Sequence, residues 1–175
     1  HAGGLSILHR NSGRIENFNQ RNSRLINENV YAILPDGENN FLLGTLSALV
    51  HFNPEKRSFT TVTQESDGTP MNLQKITTLF RDSQKRLWIG GEEGISVFKQ
   101  HGTSIQKAAI LPESTVTKAF TNYIYEAANG LIWVGTREGF YCFNEKEKRI
   151  KRYTTANGLP NNVVYGILED SYGRL

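Results

Sequence analysis

The sequence predicts an all-β fold, a β-propeller of four-stranded antiparallel blades, and three observations carry that prediction. A short apolar motif closing on glycine recurs as Phe41-Leu42-Leu43-Gly44-Thr45, Leu87-Trp88-Ile89-Gly90-Gly91 and Ile132-Trp133-Val134-Gly135-Thr136, its glycines 46 and 45 residues apart. The same order of strand-like runs and turns surrounds each copy. No segment sustains a 3.6-residue apolar stripe, so helices are not expected. Units of about 45 residues with four strands each match propeller blades. A β-sandwich, the structural competitor, does not repeat at that period with one internal order.

Each element follows from its residues. The first strand of a unit reads Val30-Tyr31-Ala32-Ile33-Leu34-Pro35-Asp36, Ile76-Thr77-Thr78-Leu79-Phe80-Arg81-Asp82 and Val164-Tyr165-Gly166-Ile167-Leu168-Glu169-Asp170; residues 121–127 fill that place in the remaining unit, with Ala127 instead of Asp. β-Branched and aromatic residues in this density suit a pleated strand. The turns Asp82-Ser83-Gln84-Lys85 and Asp170-Ser171-Tyr172-Gly173 follow, where Asp can bond its own turn backbone and glycine accepts positive φ. The Trp- or Leu-bearing motif is the second strand. The third is Gly4 to Leu8, Ala48 to Phe52, Gly94 to Phe98 and Gly139 to Phe143, and a weaker fourth lies near Arg14 to Phe18, Ser58 to Val62, Ser104 to Ala108 and Arg149 to Tyr153.

This order divides the chain into a partial blade at 1–29, blades at 30–75, 76–120 and 121–163, and the first strand of a next blade at 164–175. About four blade equivalents result. Because the two partial blades together would lack a second strand, the expectation is a fragment of a larger propeller, commonly of six to eight blades.

At these residues the sequence resembles the two-component regulator propeller repeat: a strand ending in Asp, a short turn, Leu-Trp-Ile-Gly-Thr, two variable residues, Gly-Leu and an aromatic-bearing strand. Residues 76–98 and 164–175 fit it well, and Asn157-Gly158-Leu159-Pro160-Asn161-Asn162-Val163 is typical of the family's approach to a blade. The departures are Ala127 for Asp, Ala48 for Gly and Leu42 for Trp. The resemblance implies the extracytoplasmic sensor region of a histidine kinase, especially a hybrid two-component system of gut Bacteroidetes. Such a protein has two propellers, an immunoglobulin-like domain, a membrane helix and a cytoplasmic kinase, and typically responds to glycan fragments. It further implies a periplasmic location, an oligosaccharide ligand, the rest of the propeller and sensor chain as partners, and a homodimer in the full-length protein.

Composition narrows the chemistry. A net charge of +3, from 20 basic and 17 acidic residues, lacks the clustering that phosphate-backbone binding requires, so nucleic acid is not an expected partner. No run approaches the ~18 apolar residues of a membrane span, so no direct membrane contact is expected. The lone Cys142, between Tyr141 and Phe143, reads as an inert buried thiol. The four histidines, His1, His9, His51 and His101, lack ligand spacing, and no metal or cofactor is expected. Trp88 and Trp133 read as packing between blades before they read as sugar platforms. The mixed turns Glu55-Lys56-Arg57 and Glu145 to Arg149 read as solvated hairpins.

No Ser/His/Asp or Cys/His set stands in catalytic context, so no catalytic residue is assigned and this segment is not expected to be an enzyme. Ligand candidates fall in the loops between strands two and three, Glu92, Glu93, Arg137 and Glu138, and in the blade-to-blade linkers, Asn122, Asn161 and Asn162, with Asn72 beside them. Amides and charged groups suit sugar hydroxyls or acidic sugars. The plainer reading is a turn role for each Asn and a salt bridge from Arg137 to Glu138 or Glu93. The leading functional expectation is a ligand-sensing or signal-relaying propeller; the alternative is a protein-interaction scaffold with no small ligand.

Overall fold

The computed structural model describes residues 3–71, 73–111 and 118–175; Asn72 and His1 lie outside the described residues. Its elements are β1 (Leu5–His9) and β2 (Arg14–Phe18); β3 (Val30–Pro35), β4 (Phe41–Thr45), β5 (Leu49–Asn53) and β6 (Ser58–Val62); β7 (Ile76–Arg81), β8 (Leu87–Gly91), β9 (Gly94–His101) and β10 (Ser104–Lys107); β11 (Thr121–Glu126), β12 (Ile132–Thr136), β13 (Phe140–Asn144) and β14 (Arg149–Tyr153). They form a two-stranded sheet and three four-stranded antiparallel meanders, each in sequence order. These are propeller blades. The helical content among the described residues is a single 3-10 turn, Thr155–Asn157.

Residues 164–175 carry no strand assignment. They nevertheless follow the third sheet's placement: Val164 lies against Gly135 as Ile76 lies against Gly44, and Val164 N donates to Thr136 O at 2.8 Å. A strand is defined by its ladder, and this stretch has no ladder partner beside it.

The central strands of the second and third sheets are apolar on both sides because those two sheets are covered on both sides. Leu43, Val50, Phe52 and Phe59 pack on Leu5, Phe18 and Leu25 of the preceding sheet. Leu42 and Leu49 face the other way, onto Ile76, Leu87, Ile89, Phe98 and Ile105. Trp88, Ile95 and Val97 then meet Ile124, Ile132, Val134, Tyr141 and Phe143. Adjacent residues on a strand thus serve opposite seams, the period-2 geometry of a pleat. Gly90 stands where a Cβ would come within 2.6 Å of Thr121 Cγ2 and 2.7 Å of Thr78 Cγ2, so the recurrent glycine is there to let the next sheet approach.

The Asp-led turn explains the motif. The Asp82 carboxylate, fully buried, accepts from Arg86 N at 2.8 Å, Arg86 Nε at 2.6 Å and the Trp88 indole N–H at 2.7 Å. Strand end, turn and second-strand Trp are locked through one side chain. Asp170 repeats the pattern with Arg174 N at 3.0 Å and Arg174 Nε at 2.7 Å, while Lys85 and Gly173 take the left-handed position of their turns at φ 66° and 73°.

Where Ala127 replaces the Asp, the backbone turn survives, Ala127 N donating to Leu131 O at 2.9 Å, but the Trp133 indole N–H is buried without a partner. Trp133 is half-buried and stacks on Phe140, centroids 4.7 Å apart. Ala127→Asn restores an acceptor at that place without burying a charge. It is expected to raise stability by about 1 kcal/mol, read as an upward shift in the denaturant midpoint; an unchanged or lowered midpoint would show that the orphan indole is not the cause.

Candidate functional site

A four-stranded meander places its loops at two ends. The loops between strands two and three and the linkers into each first strand lie at one end; the turns between strands one and two, and three and four, lie at the other.

At the loop end, Phe120 is the organising side chain. Arg137 lies over its ring at 3.8 Å and Lys75 at 5.2 Å, while Lys75 Nζ reaches Glu92 Oε2 at 3.8 Å. Glu92 and Arg137, from consecutive sheets, are thereby gathered around one aromatic ring. Arg137 stacks on Phe120 and does not form the salt bridge to Glu138 or Glu93 expected from sequence, because a planar guanidinium gains from the ring face while keeping its donors in water. Glu138 is exposed, and its carbonyl accepts from Arg152 Nε at 2.9 Å. Glu93 is exposed beside Glu92.

The asparagines serve the backbone. Asn122 occupies the bulge of β11 and donates through Nδ2 to Val164 O at 3.0 Å, the same bridge to the next unit that Thr77 Oγ1 makes to Thr121 O. Asn161 Oδ1 accepts from Val163 N at 2.8 Å, and Asn162 Oδ1 from Thr155 N at 2.9 Å. Cys142 is half-buried and burial pushes its thiol up, against the Lys151 charge, so it is a weak nucleophile.

The turn end holds what sequence reasoning missed. Between the third and fourth sheets, Arg86 extends from Asp82 to Glu145 in a bidentate pair at 2.7 and 2.8 Å. Between the second and third, Asp36 accepts from Arg81 Nη2 at 2.8 Å and from Gln100 Nε2 at 2.9 and 3.0 Å, and His51 Nδ1 lies 3.3 Å from its Oδ2. The one sequence signal was His51 inside an otherwise apolar strand, Leu49-Val50-His51-Phe52. Lys56, assigned from sequence to a solvated hairpin, is exposed but lines the cleft beside this cluster.

The hydrogen bonds from Arg86 hold the Glu145 carboxyl below its ordinary value. Burial works against ionisation of Asp36, but hydrogen bonds from His51 and Gln100 and the charges of His51 and Arg81 outweigh it, again lowering the value. A carboxyl depressed in the folded state stabilises fully above its unfolded pKa, and that contribution is lost as pH falls through the folded one. Stability should therefore decline on the acid side of the ordinary carboxylate range, and Glu145→Gln should flatten that decline in thermal unfolding followed against pH. An acid limb identical to the parent's would exclude Glu145 as a contributor.

Four-stranded blades that repeat at this period, one of them locked through the Asp82–Arg86–Trp88 turn, place the chain among the β-propellers. Residues 70–93, spanning β7, its Asp-led turn and β8, match the family described as Two component regulator propeller. Those 24 residues make up one such repeat unit, within the third sheet. Over 170 residues it is 28% identical to Histidine kinase P4 of Formosa agariphila, covering 93% of this chain and 12% of that protein. Among solved structures it superposes with TM-score 0.77 and 21% identity on the extracellular domain assigned to the hybrid two component system BT4673 of B. thetaiotaomicron, covering 98% of this chain and 23% of that one. For the extracellular domain assigned to BT3049 of the same organism the values are 0.68 and 23%, with 90% and 21% covered. The chain thus spans about an eighth of the curated relative's length and under a quarter of each solved chain.

Proposed function

We propose that this chain belongs to the ligand-sensing or signal-relaying propeller of a hybrid two-component sensor histidine kinase. In this reading it lies in the periplasm as the ectodomain of an inner-membrane protein, forms a homodimer in the full-length protein and has no catalytic role of its own. The observation that carries the reading is the Asp-anchored blade repeat, shared with the regulator-propeller family and accompanied by similarity along nearly the whole chain to a histidine kinase. The ligand class it favours is a glycan fragment, met at the loop end by Arg137, Glu138, Glu92 and Glu93, with Asn122, Asn161 and Asn162 shaping the linkers. Loops can be remodelled without disturbing strands, and the exposed Arg137 guanidinium, held flat on Phe120, still offers two parallel donors to a carboxylate or sulfate.

One observation favours the second reading, a protein-interaction scaffold: the three asparagines already spend hydrogen-bonding capacity on backbone groups. The test is a screen of oligosaccharides against the full-length protein, with kinase phosphorylation as readout and Arg137→Ala against Lys148→Ala. Sensing at the loop end predicts a ligand-dependent change in phosphorylation that Arg137→Ala reduces and Lys148→Ala leaves intact. A ligand response insensitive to Arg137 sinks the loop-end assignment. A panel without any response, together with capture of a protein partner by the same domain, favours the scaffold.

A further inference from the structure

The seam between the second and third sheets departs from the next seam at corresponding positions. In the latter, Asp82 is consumed within its own sheet by Arg86 and the Trp88 indole, and Arg86 fills the space up to Glu145. The second sheet carries Asn40 in the place of Arg86, as the turn bonds Asp36 N to Asn40 O and Asp82 N to Arg86 O show, and Leu42 in the place of Trp88. Both are smaller, and Leu42 has no donor. Asp36 is therefore released from the anchoring task and turns to groups of the third sheet, Arg81 and Gln100. His51, opposite Leu42 in the register, stands where the other sheets have Val97 and Cys142. The unfilled space is a cleft of about 630 Å³, lined among others by Asp36, His51, Arg81, Gln100, Lys56 and Lys85.

We propose that this cleft is a binding site for a small polyhydroxylated carboxylate. Its lining holds three permanent cations, Arg81, Lys56 and Lys85, against one carboxylate, Asp36, which Arg81 already pairs. Two ammonium groups at exposed turn tips are thus left to a carboxylate entering from solvent. The Thr60 and Ser58 hydroxyls line the same cleft and match ligand hydroxyls, while the Asn53 and Gln100 amides, bonded to Asn40 and Asp36, form its fixed polar wall. His51 adds an independent sign. It is more than nine-tenths buried, its Nδ1 faces Asp36, and its Nε2 has no partner at all. Buried polar atoms are rarely left so, and a bound hydroxyl completes the set. This site is at the opposite end of the sheets from Arg137 and does not depend on the sensor reading.

Titration calorimetry of the full chain with glucuronate, glucose and inorganic sulfate tests it. Glucuronate is expected to bind, with glucose and sulfate each weaker by about tenfold or more, since one lacks the charge and the other the hydroxyl pattern. Lys56→Gln with Lys85→Asn should weaken glucuronate about tenfold while leaving the unfolding midpoint unchanged; Asn suits the left-handed backbone at Lys85, φ 66°. Lys148→Asn, a turn lysine of the fourth sheet at φ 51°, and Arg137→Ala should both leave binding intact. No glucuronate heat, sulfate binding as tight as glucuronate, or an unaffected lysine double variant each overturns the assignment. Loss of binding in Arg137→Ala alone would move the ligand to the loop end.

Discussion

Replacing Trp88 by Ala is expected to cost about 3–5 kcal/mol of folding stability, the usual penalty for emptying a large buried aromatic site. Trp88 is fully buried between the third and fourth sheets, its ring 6.2 Å from Phe143, among Ile95, Val97, Ile124, Ile132, Val134 and Tyr141. The truncation leaves a void in a seam that has apolar walls on both sides, and it strips one donor from the buried Asp82. Trp88→Phe separates the two effects: it keeps most of the volume and loses only the indole N–H. Denaturant unfolding should therefore rank the parent above Phe and Phe well above Ala. A Phe variant as unstable as Ala would place the cost in the hydrogen bond and not in the packing.

Asp82→Ala is expected to cost a comparable amount, about 3–5 kcal/mol, by a different route. The substitution removes the acceptor of the Arg86 N–H, the Arg86 guanidinium and the Trp88 indole together. Arg86 would keep Glu145 but lose its inner partner while still buried. Asp82→Asn preserves an acceptor for the turn and the indole, so it should recover part of the loss without recovering the charge. Equal stability of Ala and Asn variants would show that the pair with Arg86, and not the anchoring of the turn, is what the carboxylate contributes. The natural contrast is already in the chain, since Ala127 leaves its turn intact and the Trp133 indole orphaned.

The loop-end candidates separate in the same way. Arg137 and Glu92 were legible as polar loop residues because a Gly-bounded loop between two apolar strands is solvent-facing by construction. That both would be drawn to one ring could not be read, since Phe120 precedes a strand and nothing local marks it as a platform. Asn122 offers an amide that suits a ligand hydroxyl, yet its place in the bulge commits that amide to Val164. The bulge recurs at Tyr31, Thr77 and Asn122, but it leaves no mark in composition because it is a matter of register between two strands.

The blade is legible in the residues alone: four strands, their order, the Asp-led turn and the close-approach glycines. Alternation, turn chemistry and the period of about 45 residues are local or repetitive properties, written within a few residues of where they act. Which polar side chains meet across a seam emerges first from the stacking of the sheets. Asp36 and Gln100 are 64 positions apart, and Arg86 and Glu145 are 59 apart. Neither pairing has a signature on its own strand; each arises from how one twisted sheet lies against the next. The physical reason is that side-chain partners across a seam are set by the relative placement of two sheets. A change of one residue there, Asn40 for Arg86 or Leu42 for Trp88, redirects a buried carboxylate without altering any local pattern from which the blade was predicted.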